Sequence, residues 1–150
     1  MTEKTSILNL PARKFFVVQL TNCFQVDKDE EEWIYQGTLD LPLRFNQVWI
    51  QGFVVLVSAD GNDVLVDDGT GVAHATGVVK LVKNFTIIKG MYVMVAGQLK
   101  TTGKSSTQTF PSYPTIRILK FADKSEFRSS ETLWMLEVMD LQRATSTSLR

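Results

Sequence analysis

The stretch from Val48 to Leu99 constrains the fold more than any other part of the sequence. Apolar runs of strand length alternate there with two short turns that contain Gly61 and Gly69. Glycine tolerates positive φ, so such turns favour tight connections between neighbouring strands. A further apolar run returns after a connector and carries a glycine of its own, Gly97. The pattern predicts a small sheet that curls on itself.

Five barrel strands follow from this pattern: Val48–Val57, Asp63–Asp67, Val72–Thr76, Met91–Leu99 and Thr115–Phe121. Gly52 lies in the middle of the first strand, where a barrel strand must bend to take part in both sheets. The connector from Gly77 to Gly90 predicts a short helix, because its apolar residues recur at helical spacing: Val78, Leu81, Val82 and Phe85. We therefore predict an all-β chain, a five-stranded OB-fold Greek-key barrel.

The barrel is expected to carry an N-terminal strand and a C-terminal α-helix. Aromatic and β-branched residues in Arg13–Leu20 favour the strand, and Trp33–Tyr35 predicts a small strand or extended segment that covers one mouth of the barrel. The helix is expected to begin near Ser130 and to end at about Arg143. In terms of domains, we expect a flexible leader over 1–11, one domain over 12–143, a long loop over 101–114 and a flexible tail over 144–150.

Charge and cysteine content exclude several classes of protein. The 150 residues carry 16 basic and 16 acidic side chains, whereas proteins that cover a phosphate backbone usually have a basic excess. A single cysteine, Cys23, excludes an intrachain disulfide and favours a reducing compartment. The N-terminus lacks the pattern of a secretory signal, and no run is long enough to span a membrane.

No catalytic, metal or cofactor site is predicted. His74 is the one histidine and Cys23 the one cysteine, which is too few for a zinc site. His74 is interpreted as a barrel residue with ordinary hydrogen bonds, and Cys23 as a small buried side chain. Asp67 and Asp68 are adjacent, which in a strand places them on opposite faces and favours a turn over a catalytic pair.

The strand face on which OB-folds commonly hold single-stranded nucleic acid lacks the expected residues. Neither Asp63–Asp67 nor Val72–Thr76 contains phenylalanine, tyrosine, tryptophan, lysine or arginine. Four lysines near the last two strands form at most a weak basic patch, and solvated surface lysines explain them more simply: Lys100, Lys104, Lys120 and Lys124. Direct DNA binding is therefore not expected.

The C-terminal helix has more apolar surface than one small barrel covers. One stripe contains Trp134, Val138 and Leu141, and another contains Thr132, Leu136, Met135 and Met139. The surplus stripe predicts a protein partner. Trp134 is the type of residue that anchors interfaces, although it also suits packing on its own barrel.

Three segments resemble the RecQ-mediated genome instability protein 2 family. They are V-W-I-Q-G at 48–52, K-G-x-Y-V-M-V at 89–95 and L-W-x-L-E-V-x-D-L at 133–141. More distantly, the order of N-terminal strand, barrel and long C-terminal helix is similar to that of the middle subunit of replication protein A.

The resemblance implies a nuclear, non-catalytic scaffold subunit. It implies a heterodimer with the C-terminal OB-fold of a larger partner subunit, within the complex of Bloom helicase and topoisomerase III alpha that dissolves double Holliday junctions. It also implies contact with a peptide of the Fanconi anaemia helicase. The residues expected to bind partners are Lys120, Leu133, Trp134, Leu136, Val138, Met139 and Leu141.

Two other readings of the same fold stay open at this point. The first is a single-stranded DNA-binding subunit of a replication protein A-like or telomere-capping complex. The second is an accessory reader of RNA of the anticodon-binding type. Both predict that the isolated protein binds oligonucleotides with an affinity that falls steeply with salt.

Overall fold

The computed structural model describes residues 12–25, 32–36, 42–81, 87–103, 113–126 and 130–148. Its nine strands are β1 (Arg13–Lys14), β2 (Phe24–Gln25), β3 (Trp33–Tyr35), β4 (Leu43–Phe45), β5 (Gln47–Val57), β6 (Asp63–Asp67), β7 (Val72–Thr76), β8 (Tyr92–Thr101) and β9 (Thr115–Asp123). The helices of the described segments are α1 (Val17–Leu20), α2 (Val78–Leu81) and α3 (Ser130–Ser148).

Strands β5 to β9 form a closed barrel. The sheet order is β1-β5-β6-β7-β9-β8, and β8 also pairs with β5, which closes the ring. Neighbouring barrel strands are antiparallel except for β7 and β9, which run parallel, as does the short edge strand β1 on β5. This is the predicted five-stranded OB-fold, and β6 and β7 have the predicted bounds.

Two glycines permit the close strand contacts that closure requires. A Cβ at Gly52 would lie 2.5 Å from the carbonyl oxygen of Asp67, at the point where β5 changes partner from β8 to β6. A Cβ at Gly97 would lie 2.0 Å from the carbonyl oxygen of Arg117, beside an irregularity in the β8–β9 register. Any side chain at either position would push the strands apart.

A second sheet, β2-β3-β4, adds to the core of the barrel. The Phe15 ring lies 5.4 Å from that of Tyr35 and 4.7 Å from that of Phe45, centroid to centroid. The indole Nε1 of Trp33 donates a buried hydrogen bond of 2.8 Å to the Leu99 carbonyl on β8. The predicted strand Trp33–Tyr35 is thus confirmed as the central strand of this small sheet.

The predicted strand over Arg13–Leu20 is wrong beyond Lys14. Only Arg13 and Lys14 pair with β5, and Val17–Leu20 then forms the helical turn α1. The turn buries Val17 and Leu20, and its first two backbone N–H groups donate hydrogen bonds to side chains outside the turn. Val17 N–H donates to Asp68 Oδ2 over 2.8 Å and Val18 N–H to Thr70 Oγ1 over 3.1 Å, so a helical turn satisfies these donors without a sheet partner.

The helices differ from the prediction at their ends. In α2, Val78 is buried but Leu81 is 45% exposed, so the expected apolar face does not include Leu81. Helix α3 continues past Arg143 to Ser148, into the segment expected to be a tail, because no glycine or proline interrupts it. The leader 1–11, residues 82–86 of the connector and residues 104–112 of the predicted loop lie outside the described residues. None of the described helices is long and apolar enough to cross a membrane.

Candidate protein-binding surface

Helix α3 docks on the outside of the barrel through Trp134 and Val138. These side chains are 2% and 0% exposed, and they face β1 and the first half of β5. The Trp134 ring stacks on Trp49 with 6.1 Å between the centroids and 26° between the planes. Such offset stacking adds to the apolar area that both indoles remove from water.

Lys14 holds the edge of this indole pair. Its Nζ lies 4.6 Å from the centroid of the Trp49 ring and 5.9 Å from that of Trp134, within range of a cation–π interaction. The same ammonium group pairs with the carboxylate of Glu137 on α3. One residue of the edge strand therefore fixes how α3 lies on the barrel.

The opposite side of α3 presents a second apolar stripe to solvent. Leu136 lies about 200° around the helix from Trp134, since each residue advances by about 100°. It is 53% exposed. The other large apolar side chains of this exposed α3 stripe are about as open: Leu133 at 52%, Met135 at 48% and Met139 at 49%. The stripe is thus a contiguous apolar surface of the kind that binds another protein.

The predicted set of partner-binding residues divides in two. Leu133, Leu136 and Met139 lie on the exposed α3 stripe, and Met135, absent from that set, joins them. Trp134 and Val138 lie on the other stripe and are buried against the barrel, so a role for them in partner binding stays a prediction. Helical spacing distinguishes the two stripes, but it does not show which of them meets Trp49. The side chain of Leu141 is outside the described residues.

Lys120 lies on the same outer face of the barrel as Trp49. The strand register runs from Lys14 to Trp49, then to Ala96 and to Lys120, across β1, β5, β8 and β9. Two strand spacings separate Trp49 from Lys120, a distance of about 10 Å. Lys120 is exposed, so its ammonium group is available beside the helix-bearing face.

The outer face of β6 and β7 contains carboxylates and a histidine. His74 Nε2 lies 2.7 Å from Asp63 Oδ1, and His74 Nδ1 lies 3.3 Å from Thr115 Oγ1, which confirms the ordinary hydrogen-bonded role predicted for His74. Hydrogen bonds from the side chains of Thr76 and His74 lower the pKa of the Asp63 carboxyl. Tyr113, which precedes β9, also lines this face; the sequence analysis missed it because it lies in a loop.

Neither a metal-binding cluster nor a reactive cysteine occurs among the described residues. No three of their histidine, cysteine, aspartate or glutamate side chains come close enough to hold a metal ion. Cys23 is buried, and desolvation raises its thiol pKa from 9.0 to about 12, so the thiolate needed for attack is disfavoured.

Sequence comparison identifies a family to which the chain is similar. Residues 11–142 match the family model described as RecQ-mediated genome instability protein 2. The chain is 32% identical to the protein of that name from Gallus gallus over 104 residues, which cover 68% of this chain and 70% of the chicken protein. It is 29% identical to the Mus musculus protein over 103 residues, or 68% of this chain and 62% of the mouse protein. The chain thus spans less than two thirds of the mouse relative's length.

Structural comparison finds OB-fold proteins with the same arrangement of strands. A chain of the S. pombe Stn1–Ten1 complex superposes with a TM-score of 0.65 at 14% identity, over 91% of this chain and 95% of that one. A chain of a replication protein A heterotrimer bound to single-stranded DNA gives 0.62 at 20% identity, over 91% of this chain and 98% of that one. These likenesses confirm the fold.

Proposed function

Because the chain belongs to the RecQ-mediated genome instability protein 2 family, we propose that it is a non-catalytic scaffold subunit that binds a larger OB-fold subunit through α3. Its family and its OB-fold make it a genome-maintenance subunit. In the proposal, the resulting heterodimer stabilises the complex of Bloom helicase and topoisomerase III alpha during double Holliday junction dissolution in the nucleus. A peptide of the Fanconi anaemia helicase is a further proposed partner.

The observation that carries this proposal is the exposed α3 stripe. Its four side chains are each about half open to solvent, while the opposite stripe is already used by the barrel. Burying the open half of such a side chain contributes about 1 kcal/mol. A helix from a partner that covers the stripe would gain that contribution four times, less the cost of ordering both surfaces.

Lys120 on β9 extends the proposed binding surface from α3 onto the strands of the barrel. It lies on the face of the barrel that carries Trp49 and α3, and its side chain is exposed. A partner that covers α3 would extend over this row of residues. We propose that a carboxylate of the partner meets Lys120 at the edge of the interface, where such pairs set orientation more than affinity.

The proposal is tested by co-expressing the chain with the larger OB-fold subunit. Leu136→Glu places a charge in the centre of the exposed α3 stripe, and we expect the heterodimer to be lost or to weaken by at least a factor of about one hundred. Val79→Glu is the matched control, because Val79 is also an apolar helix residue and is 50% exposed. Equal recovery of the heterodimer with both variants would contradict the proposal.

A titration with oligonucleotide separates this proposal from a nucleic-acid-binding function. The outer face of β6 presents Asp63 and Asp67 where a single strand would lie, and these carboxylates repel phosphate. We expect no saturable binding of a poly-thymidine strand to the isolated chain at low salt. Tight binding that weakens with salt would favour a replication protein A-like subunit.

A further inference from the structure

A shallow groove of about 230 Å³ crosses the outer face of β5, β6 and β7, away from α3. Its lining combines apolar and polar side chains: Leu56, Ser58, Asp63, Leu65, His74 and Tyr113. Leu56 and Leu65 are cross-strand partners and lie side by side. Leu56 is 57% exposed, which is more than most large apolar side chains of the described residues. The groove therefore has an open apolar floor.

The surroundings of the groove are acidic. Residues 45–79 contain four aspartates and neither lysine nor arginine, although the chain as a whole is balanced at 16 charges of each sign. Asp63 lies inside the groove, and Asp60 lies in the turn that precedes β6. The nearest cation by strand register is Arg117 on β9, opposite Thr76, which is itself opposite Asp63. Arg117 thus marks the edge of the acidic region.

The distance between Leu65 in the floor of the groove and the Asp63 carboxylate matches the distance between alternate side chains of an extended peptide. Asp63 and Leu65 are alternate residues of β6, so they point to the same side and lie about 7 Å apart. Alternate side chains of an extended peptide have the same separation. A peptide that runs along β6 can therefore present an apolar side chain to Leu65 and a cationic side chain to Asp63 at the same time.

We infer that this groove binds an extended segment of a partner protein that carries an apolar residue and, two positions away, a lysine or arginine. The apolar side chain covers Leu56 and Leu65, and the cation pairs with Asp63. The hydrogen bonds from Thr76 and His74 keep the Asp63 carboxyl ionised, because they lower its pKa. This surface is separate from the exposed α3 stripe, since α3 packs on β1 and the first half of β5.

The probes are two short peptides of the same composition, measured by NMR on the isotope-labelled full chain and again on its complex with the larger subunit. In the first, acetyl-Ser-Thr-Leu-Thr-Arg-Thr-Ser-amide, leucine and arginine alternate; in the second they are adjacent. We expect saturable shifts at Leu65, His74 and Tyr113 with the alternating peptide and weaker shifts with the adjacent one. A peptide with glutamate in place of arginine should not bind.

A variant that introduces a positive charge tests the site without disturbing the core. Leu56→Lys adds a cation at an open position, and we expect binding of the alternating peptide to weaken about tenfold through like-charge repulsion. Val79→Lys changes a residue that is about half exposed and does not line the groove, so this variant should bind the peptide as the native chain does. The inference is overturned if both peptides bind equally, if the shifts lie on α3, if a poly-thymidine strand shifts the same residues, or if Leu56→Lys has no effect. Leu136→Glu should leave the peptide affinity unchanged, which separates this result from a failure of the proposed heterodimer.

Discussion

Lys14 Nζ and Glu137 Oε2 lie 2.9 Å apart, although 123 positions of sequence separate the two residues. Their side chains differ in exposure, 20% for Lys14 and 49% for Glu137. A pair that is half open to water contributes little by Coulomb attraction alone. Its importance comes from Trp49 and Trp134, because the ion pair closes over the stacked indoles and holds the lysine against them.

The first prediction concerns the ion pair between Lys14 and Glu137. In a double-mutant cycle of Lys14→Met and Glu137→Gln, we expect a coupling energy of about 0.5 kcal/mol in the free energy of unfolding, because the pair is partly solvated. Urea denaturation measures it. Asp140→Asn removes another exposed carboxylate of α3 and should show no coupling to Lys14→Met. A coupling energy of zero for the Glu137 pair would contradict the arrangement.

The second prediction concerns Trp134. Truncation to alanine in the isolated chain removes a buried indole, and we expect the free energy of unfolding to fall by about 3–5 kcal/mol. Trp134→Phe should cost less, since it keeps a ring and removes an Nε1–H that has no hydrogen-bond partner among the described residues. Denaturation of the chain without its partner measures both. If stability were unchanged and only heterodimer formation suffered, Trp134 would be an interface residue after all.

The third prediction concerns Lys120. Because its side chain is exposed, Lys120→Ala should leave the stability of the isolated chain within about 0.5 kcal/mol of the native value. The same substitution should weaken assembly with the larger subunit. Isothermal titration of the two purified subunits measures this, with Lys89→Ala, another exposed lysine, as the control. Identical affinities for the two variants would remove Lys120 from the proposed interface.

The fourth prediction concerns Asp68, which connects the turn after β6 to α1. Its Oδ2 accepts the Val17 N–H, and its Oδ1 accepts the N–H groups of Thr70 and Gly71. Asp68→Ala leaves these donors without their carboxylate, so we expect a loss of about 1–2 kcal/mol in unfolding experiments. Asp67→Ala, which removes one such acceptor, from Gly69 N–H, should cost less. Equal losses would show that the link to α1 adds nothing.

The fifth prediction concerns pH. Burial raises the pKa of the Cys23 thiol from 9.0 to about 12 in the folded chain. The unfolded chain therefore releases this proton first, so the contribution of the buried thiol is complete below about pH 9 and is lost as the pH rises toward 12. Between these values we expect a slope approaching about 1.4 kcal/mol per pH unit from this group. Comparing the stability of native and Cys23→Ala chains between pH 8.5 and 10 isolates this contribution, and parallel curves would contradict it.

The barrel was predictable because its turns carry strong local signals. The glycines at Gly61 and Gly69 have φ of 74° and 90°, which is the conformation that their sequence context predicts. The turns at Gly61 and Gly69 lie on either side of β6, and the second of them precedes β7. They therefore predict both ends of β6 and the start of β7. A glycine in the middle of a strand likewise predicts a bend, and at Gly52 the carbonyl oxygen of Asp67 lies too close to leave room for a side chain.

The elements that depend on distant contacts were not predictable. Val17–Leu20 has the composition of a strand, yet Asp68 and Thr70, about fifty residues later, supply acceptors for a helical turn. The choice between the two stripes of α3 likewise depends on where Trp49 lies in the folded barrel. Periodicity describes each helix face by itself, whereas docking depends on the shape of both surfaces.

The ion pair between Lys14 and Glu137 joins α3 to a strand that is synthesised long before it. Lys14 is synthesised early and Glu137 late, so their ion pair and the stacking of Trp134 on Trp49 form only after both segments have been made. A chain interrupted after β9 lacks the exposed α3 stripe altogether. Recognition of that stripe would therefore favour chains in which the barrel has already been made over fragments that end before α3.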